Sequence, residues 1–127
     1  MTQALGKHSL IEFYDCSNEK LNNPDFLKDI LSKAAIEAGA EIVETVFHTF
    51  SPHGVTGVII IAESHLSIHT WPEYGYAAVD IFTCGDLIDN MKGLEIIKDA
   101  LQCGHYSIVE MRRGILNKEN LKHKVEV

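Results

Sequence analysis

Apolar residues along this chain recur with two periods, every second position in some stretches and every third or fourth in others. The first pattern marks strands and the second marks helices. Residues 8–14, rich in apolar and aromatic side chains, predict a first strand, and residues 15–22 a polar loop. Asn23-Pro24-Asp25 is then a strong helix start. Asn caps free N–H groups, Pro suits the first helical position, and Asp opposes the positive end of the helix dipole. Phe26, Ile30, Ala34 and Ala38 form the expected stripe, with Leu27 and Leu31 beside it, and Gly39 ends the helix. Residues 41–51 read as a strand with two partly apolar faces. Ile42, Val46, His48 and Phe50 share one face, and Val43, Thr45 and Phe47 the other, so cover is expected on both sides.

Pro52-His53-Gly54 predicts a turn, and residues 55–62 the most β-branched strand of the chain. Residues 61–86 carry the densest reactive chemistry: Ser64, His65, His69, Glu73 and Cys84. This stretch reads as a hairpin with Pro72-Glu73-Tyr74-Gly75 at its turn. Alternation puts Ser64, Leu66 and Ile68 on one face and His65, Ser67 and His69 on the other. The return strand, 76–84, brings Cys84 back beside Ser64. A second helix is expected over 87–103, capped by Asp86 or Asp89, striped by Leu94, Ile97 and Leu101, and closed by Gly104. Residues 105–111 form a last strand, and 114–127 a charged surface tail with partial disorder. The order β-α-β-β-β-β-α-β predicts an α+β fold, a two-layer sandwich of one antiparallel sheet with two helices on one face. The uncovered sheet face is then a candidate dimer surface.

Length and charge narrow the functions. A chain of 127 residues is one domain, residues 1–127, and is small for a deep pocket of its own. A net charge of −7 argues against a nucleic-acid partner. The longest apolar run, 58–62, is too short to span a membrane, and the N-terminus lacks a signal-type apolar segment. Cys16, Cys84 and Cys103 are odd in number and widely spaced. They suggest no disulfide framework and point to a reducing cytoplasm. No metal is expected, because His65 and His69 on one strand stand about 13 Å apart. Ser64 lacks the Gly-x-Ser-x-Gly elbow of a serine hydrolase, and Cys84 lacks a local signature for a cysteine hydrolase. Each of these side chains, taken singly, is also an ordinary hydrogen-bonded group of a sheet.

Together they point further. The stretch from Glu63 to Asp80, with Phe82-Thr83-Cys84-Gly85, closely resembles the prokaryotic S-adenosylmethionine decarboxylases. The resemblance extends to Gly6-Lys7-His8, Glu12-Phe13-Tyr14, Phe47-His48-x-Phe50 and Gly54-Val55-x-Gly57, and weakens beyond about residue 113. It implies a proenzyme cut by its own serine between Glu63 and Ser64, giving a β chain of residues 1–63 and an α chain of residues 64–127. Ser64 would become a covalent pyruvoyl cofactor that forms a Schiff base with the substrate amine and takes up the electrons left by carbon dioxide. His69 matches the proton acceptor in processing, and Thr56 the supporting hydroxyl, a position that is serine in many relatives. Cys84 matches the proton donor in catalysis. Phe50 would stack on adenine and Glu73 would accept from ribose hydroxyls.

The implied substrate is S-adenosylmethionine, decarboxylated to the aminopropyl donor of spermidine synthesis by a homodimer of cleaved protomers. Two alternatives stand beside this. One is the same pyruvoyl chemistry on arginine or ornithine. The other is an uncleaved, non-catalytic binding protein. No acidic cluster in the sequence marks a putrescine site.

Overall fold

The computed structural model describes residues 4–118. Its elements are β1 (Ala4–Tyr14), α1 (Asn18–Leu21), α2 (Pro24–Glu37), β2 (Glu41–Thr49), β3 (Val55–Ala62), β4 (Ser64–Trp71), a 3-10 turn (Pro72–Tyr74), β5 (Tyr76–Cys84), α3 (Asn90–Leu101) and β6 (His105–Ile115). The strands make one six-stranded sheet in the order β2-β3-β4-β5-β1-β6. Every neighbouring pair is antiparallel. The α+β class and the antiparallel sheet agree with the pattern of the sequence. Among the described residues no helix is long and apolar enough to cross a membrane.

The helices start where their capping residues stand. Asn23 accepts from the Phe26 N–H at 3.1 Å, with Pro24 in the first turn. Asp89, rather than Asp86, caps α3 by accepting from the Lys92 N–H at 3.1 Å. That helix closes at Gln102, which takes the left-handed conformation at φ 57, three residues before β6 begins and ahead of the expected Gly104. The polar segment 15–22 is not wholly loop. Ser17 accepts from the Lys20 N–H at 3.3 Å and so caps the short helix α1.

Strand β1 starts at Ala4 and β6 runs on to Ile115, both longer than their apolar alternation indicated. The two pair over most of their length, and that ladder carries β6 past residue 111. The charged tail expected from residue 114 therefore begins inside a strand, and residues 119–127 lie outside the described part.

One face of the sheet holds the core. Ile11, Phe13, Ile59, Leu66, Ile68 and Ile81 pack against Leu27, Leu31, Leu94, Ile97 and Leu101, all almost fully buried. Each such side chain contributes about 1.5–3 kcal/mol through removal from water. The buried stripe of α2 is Leu27, Leu31, Ala34 and Ala35, while Phe26 and Ile30, expected at its centre, lie at its margin.

Strand β2 departs most from expectation. A register shift between Ile42 and Glu44 leaves Val43 as an extra residue. A bulge of this kind moves every later side chain to the other face. Ile42 therefore shares the core face with Thr45 and Phe47, opposite Ile61, Ile59 and Gly57, and parts from Val46 and His48. The Phe47 ring fills the space that a side chain at Gly57 would occupy. As an edge strand, β2 leaves Val43 and Val46 exposed rather than covered on both sides.

Candidate active site

The expected site residues fall at two ends of the β3–β4–β5 hairpins. At one end, Ile61 pairs with Ser64, so Ala62 and Glu63 are the two residues of the turn between β3 and β4. Ser64 has φ 108, a left-handed value that favours glycine. A non-glycine residue held there costs about 1–3 kcal/mol, and such outliers cluster at functional sites. Strand β5 returns so that Ser64 pairs with Thr83, and the Ser64 Oγ lies 3.3 Å from the Cys84 Sγ. Strict alternation places Ser64 on the face of Leu66 and Ile68. The irregular backbone at residue 64 instead turns its hydroxyl to the thiol.

This end rests on a buried polar network that the sequence reading missed. The Thr83 hydroxyl donates to Asn90 Oδ1 at 2.9 Å, and Asn90 Nδ2 donates to Ser9 Oγ at 3.2 Å and to the Ile81 carbonyl at 3.3 Å. All three side chains are nearly inaccessible, so each must find its partner inside the protein. The network ties α3 and β1 to the strand that carries Cys84.

At the other end, Phe50, His53, Thr56, His69, Trp71 and Glu73 line a cleft of about 220 Å³. Thr56 pairs with His69 across β3 and β4, and the Thr56 Oγ1 lies 3.0 Å from His69 Nδ1. Glu73 sits in the 3-10 turn, which Gly75 closes at φ 61. A hydrogen bond from its own backbone N–H, helped by His53 Nε2 at 3.0 Å, holds its carboxyl below the usual carboxylate range. Phe50 and Trp71 stay half exposed at the rim. The cleft floor is fixed by Thr70, whose hydroxyl accepts from Val55 N–H at 2.9 Å and donates to the Leu21 carbonyl at 2.8 Å. His69 is five residues along β4 from Ser64, about 16 Å at the rise of a strand. The structure thus brings Ser64 to Cys84 and Thr56 to His69, and keeps the two pairs apart.

Residues 7–114 match the family model described as S-adenosylmethionine decarboxylase. The chain belongs to the S-adenosylmethionine decarboxylase family. A relative from Thermosipho africanus, an S-adenosylmethionine decarboxylase proenzyme, is 48% identical over 98% of this chain and 99% of its own. A proenzyme of the same description from Thermotoga maritima is 46% identical over the same shares. The crystal structure of the adenosylmethionine decarboxylase from Aquifex aeolicus superimposes with a TM-score of 0.86 at 33% identity, covering 94% of this chain and 99% of that one.

Between the two ends, this decarboxylase-family chain carries a further cluster on the sheet face away from the helices. His8 stacks on Phe82 at 5.0 Å between centroids, and His65 meets the same ring edge-on at 5.7 Å. Arg113 lies over Phe82 at 5.0 Å. Burial, then the neighbouring His8, holds His65 below the usual imidazole range, so it is neutral near pH 7. His8, His65 and Asp80 place potential ligand atoms within 4.8 Å of one another. Among the described residues they, rather than His65 with His69, have the geometry to hold a small cation. Three strands supply them, so no spacing along the chain announces the group.

Proposed function

We propose that the chain is a self-processing proenzyme that decarboxylates S-adenosylmethionine to the aminopropyl donor for spermidine synthesis, using a pyruvoyl cofactor made from Ser64. The observation that carries this reading is Ser64 itself. In a chain of this family, it holds φ 108 at a hairpin turn, with its hydroxyl 3.3 Å from a thiol.

The residues support each step. Attack of Ser64 Oγ on the Glu63 carbonyl carbon closes a five-membered ring, a proximity built into the residue. The C–N bond breaks, a C–O bond forms, and the amide becomes an ester. A base then takes the Ser64 Cα proton, Glu63 leaves as a carboxylate, and residue 64 is left as dehydroalanine. Water converts that species to the ketone and releases ammonia. The products are chains 1–63 and 64–127 of a single domain. When formed, the pyruvoyl group supplies an electron sink for the electrons released with carbon dioxide. Cys84, held beside position 64, returns a proton to the substrate carbon.

His69 suits the base, because a neutral imidazole carries a ring nitrogen lone pair that can take up a proton. With Nδ1–H donating to Thr56 Oγ1, its Nε2 lone pair faces outward and the Thr56 O–H remains to stabilise the oxyanion. Because about 16 Å separates His69 from Ser64 in one chain, we assign the base to His69 of the partner subunit in a homodimer of cleaved protomers. The open sheet face exposes Leu10, Ile60, Val109 and Met111, an apolar surface suited to that pairing. The cleft of about 220 Å³ is also smaller than the ~300–1,000 Å³ of a typical ligand pocket, which a second copy would enlarge. Phe50 would stack on adenine. Glu73, kept ionised, would accept from ribose hydroxyls and attract the sulfonium charge. A reducing cytoplasm suits an enzyme that depends on the Cys84 thiol.

A denaturing mass spectrum of freshly purified protein tests the reading. The expected result is two fragments breaking at Glu63/Ser64, the C-terminal one carrying a pyruvoyl mass and no free amine. A chain that stays whole on long incubation would overturn it. Side-by-side assay with S-adenosylmethionine, arginine and ornithine then decides the substrate.

A further inference from the structure

The third pair of reactive groups lies away from both ends of the site. Cys16 follows β1 and Cys103 follows α3, and their sulfur atoms approach to 2.7 Å across 87 residues of sequence. Two backbone hydrogen bonds clamp the segments on either side of them, Ser17 N–H to the Leu101 carbonyl at 3.0 Å and Gly104 N–H to the Tyr14 carbonyl at 2.9 Å. Cys16 N–H also donates to the Gly75 carbonyl at 2.9 Å, next to the turn that carries Glu73. A disulfide needs about 2.05 Å between its sulfurs, so the remaining approach is under ~1 Å on backbones already held together.

We propose that Cys16 and Cys103 are a redox modification site that forms a reversible disulfide. On the cleavage reading above, Cys16 belongs to chain 1–63 and Cys103 to chain 64–127. The disulfide is then a covalent link between the two chains of the processed protein.

The chemistry is ordinary exchange with a small disulfide, RSSR. Cys16 is the attacking thiol. A hydrogen bond from Cys103 lowers its pKa against the opposing effects of burial and of Asp15. Accepting that bond, Cys16 in turn holds Cys103 as the protonated partner. The Cys16 thiolate attacks one sulfur of RSSR, forming a mixed disulfide and releasing RS⁻, which takes up the proton that the Cys16 thiol gave up and leaves as RSH. With Cys16 no longer anionic, Cys103 attacks the Cys16 sulfur and expels the second RSH, which carries away its proton. Two electrons pass from the thiol pair to RSSR, and excess thiol reverses the reaction. Cys103 is partly exposed and opens the route, while Cys16 is nearly buried. Cys84 sits at Ser64 instead and takes no part.

The test uses purified full-length protein incubated with oxidised glutathione, alkylated in denaturant and weighed without reductant. The expected result is one species at the summed mass of the two chains, less two hydrogen atoms, which dithiothreitol separates. Cys103→Ser should give separate chains under every condition. Chains that separate without reductant after oxidation, or that carry only glutathione adducts, would overturn the proposal, as would a tryptic map linking Cys84. A chain found uncut under reducing conditions defeats the cleavage reading alone. In that case the tryptic map still decides: a Cys16–Cys103 linked peptide upholds the disulfide and its absence overturns it.

Discussion

The two ends of the β3–β4–β5 hairpins differ in how they are built. The Ser64–Cys84 end is a strained turn over a rigid base, with Ser64 at φ 108 and the Thr83–Asn90–Ser9 network beneath it. The Thr56–His69 end is a cleft with half-exposed aromatic rims and a carboxylate kept ionised by its own backbone and His53. The first has the features of a bond to be broken, and the second those of a surface that receives a charged, aromatic ligand. Neither has what the other supplies. On the proposed function the two ends are half-sites of one chain, which a second subunit would join.

Substitutions can set the two ends against each other. Cys84→Ser should leave cleavage intact and lower kcat about 100-fold or more in a decarboxylation assay, since a positioned proton donor contributes on that scale. Equal loss of cleavage would merge the two roles. Asn90→Ala should cost about 2 kcal/mol in urea denaturation, because it strands the buried Thr83 and Ser9 hydroxyls. The cleft residues should feel that change little.

At the other end, Glu73→Gln should raise KM about tenfold with kcat nearly constant, the loss of one charge-assisted hydrogen bond. The same group gives a pH signature. Its carboxyl lies below the usual carboxylate range, so the charge persists above that lowered value and is lost only as pH falls through it. KM should therefore hold steady as pH falls from neutrality into the ordinary carboxylate range, and rise only as pH drops through the lowered value. The smallest effect belongs to Thr56. Thr56→Ser keeps the hydroxyl on His69 and should change the cleavage rate by less than about threefold, whereas Thr56→Val should slow it about tenfold.

Much of this was legible in the sequence, for reasons of range. Helix starts depend on residues three apart, and Asn23 and Asp89 stand where they cap. The β4–β5 hairpin depends on one turn, and Pro72 to Gly75 set the register that returns Cys84 to Ser64. The errors came where tertiary context decides. Val43 bulges because β2 must bring Phe47 over Gly57, a need invisible in β2 alone. Strand β6 continues beyond its apolar pattern because β1 offers it a ladder. The Asn90 network, the His8–His65–Asp80 group and the Cys16–Cys103 contact each join residues from distant segments. The split between Ser64 and His69 follows from counting residues along a strand, but only once β4 is known to be one unbroken strand.

The central claim is that each site takes Ser64 and Cys84 from one subunit and Thr56 and His69 from the other. Coexpression of differently tagged Ser64→Ala and His69→Ala chains, followed by denaturing mass spectrometry, tests it most directly. Alone, each variant should remain uncut. Together, the His69→Ala chain should be cleaved between Glu63 and Ser64, because its partner brings the histidine. A His69→Ala chain that stays whole beside the Ser64→Ala chain would contradict the shared site.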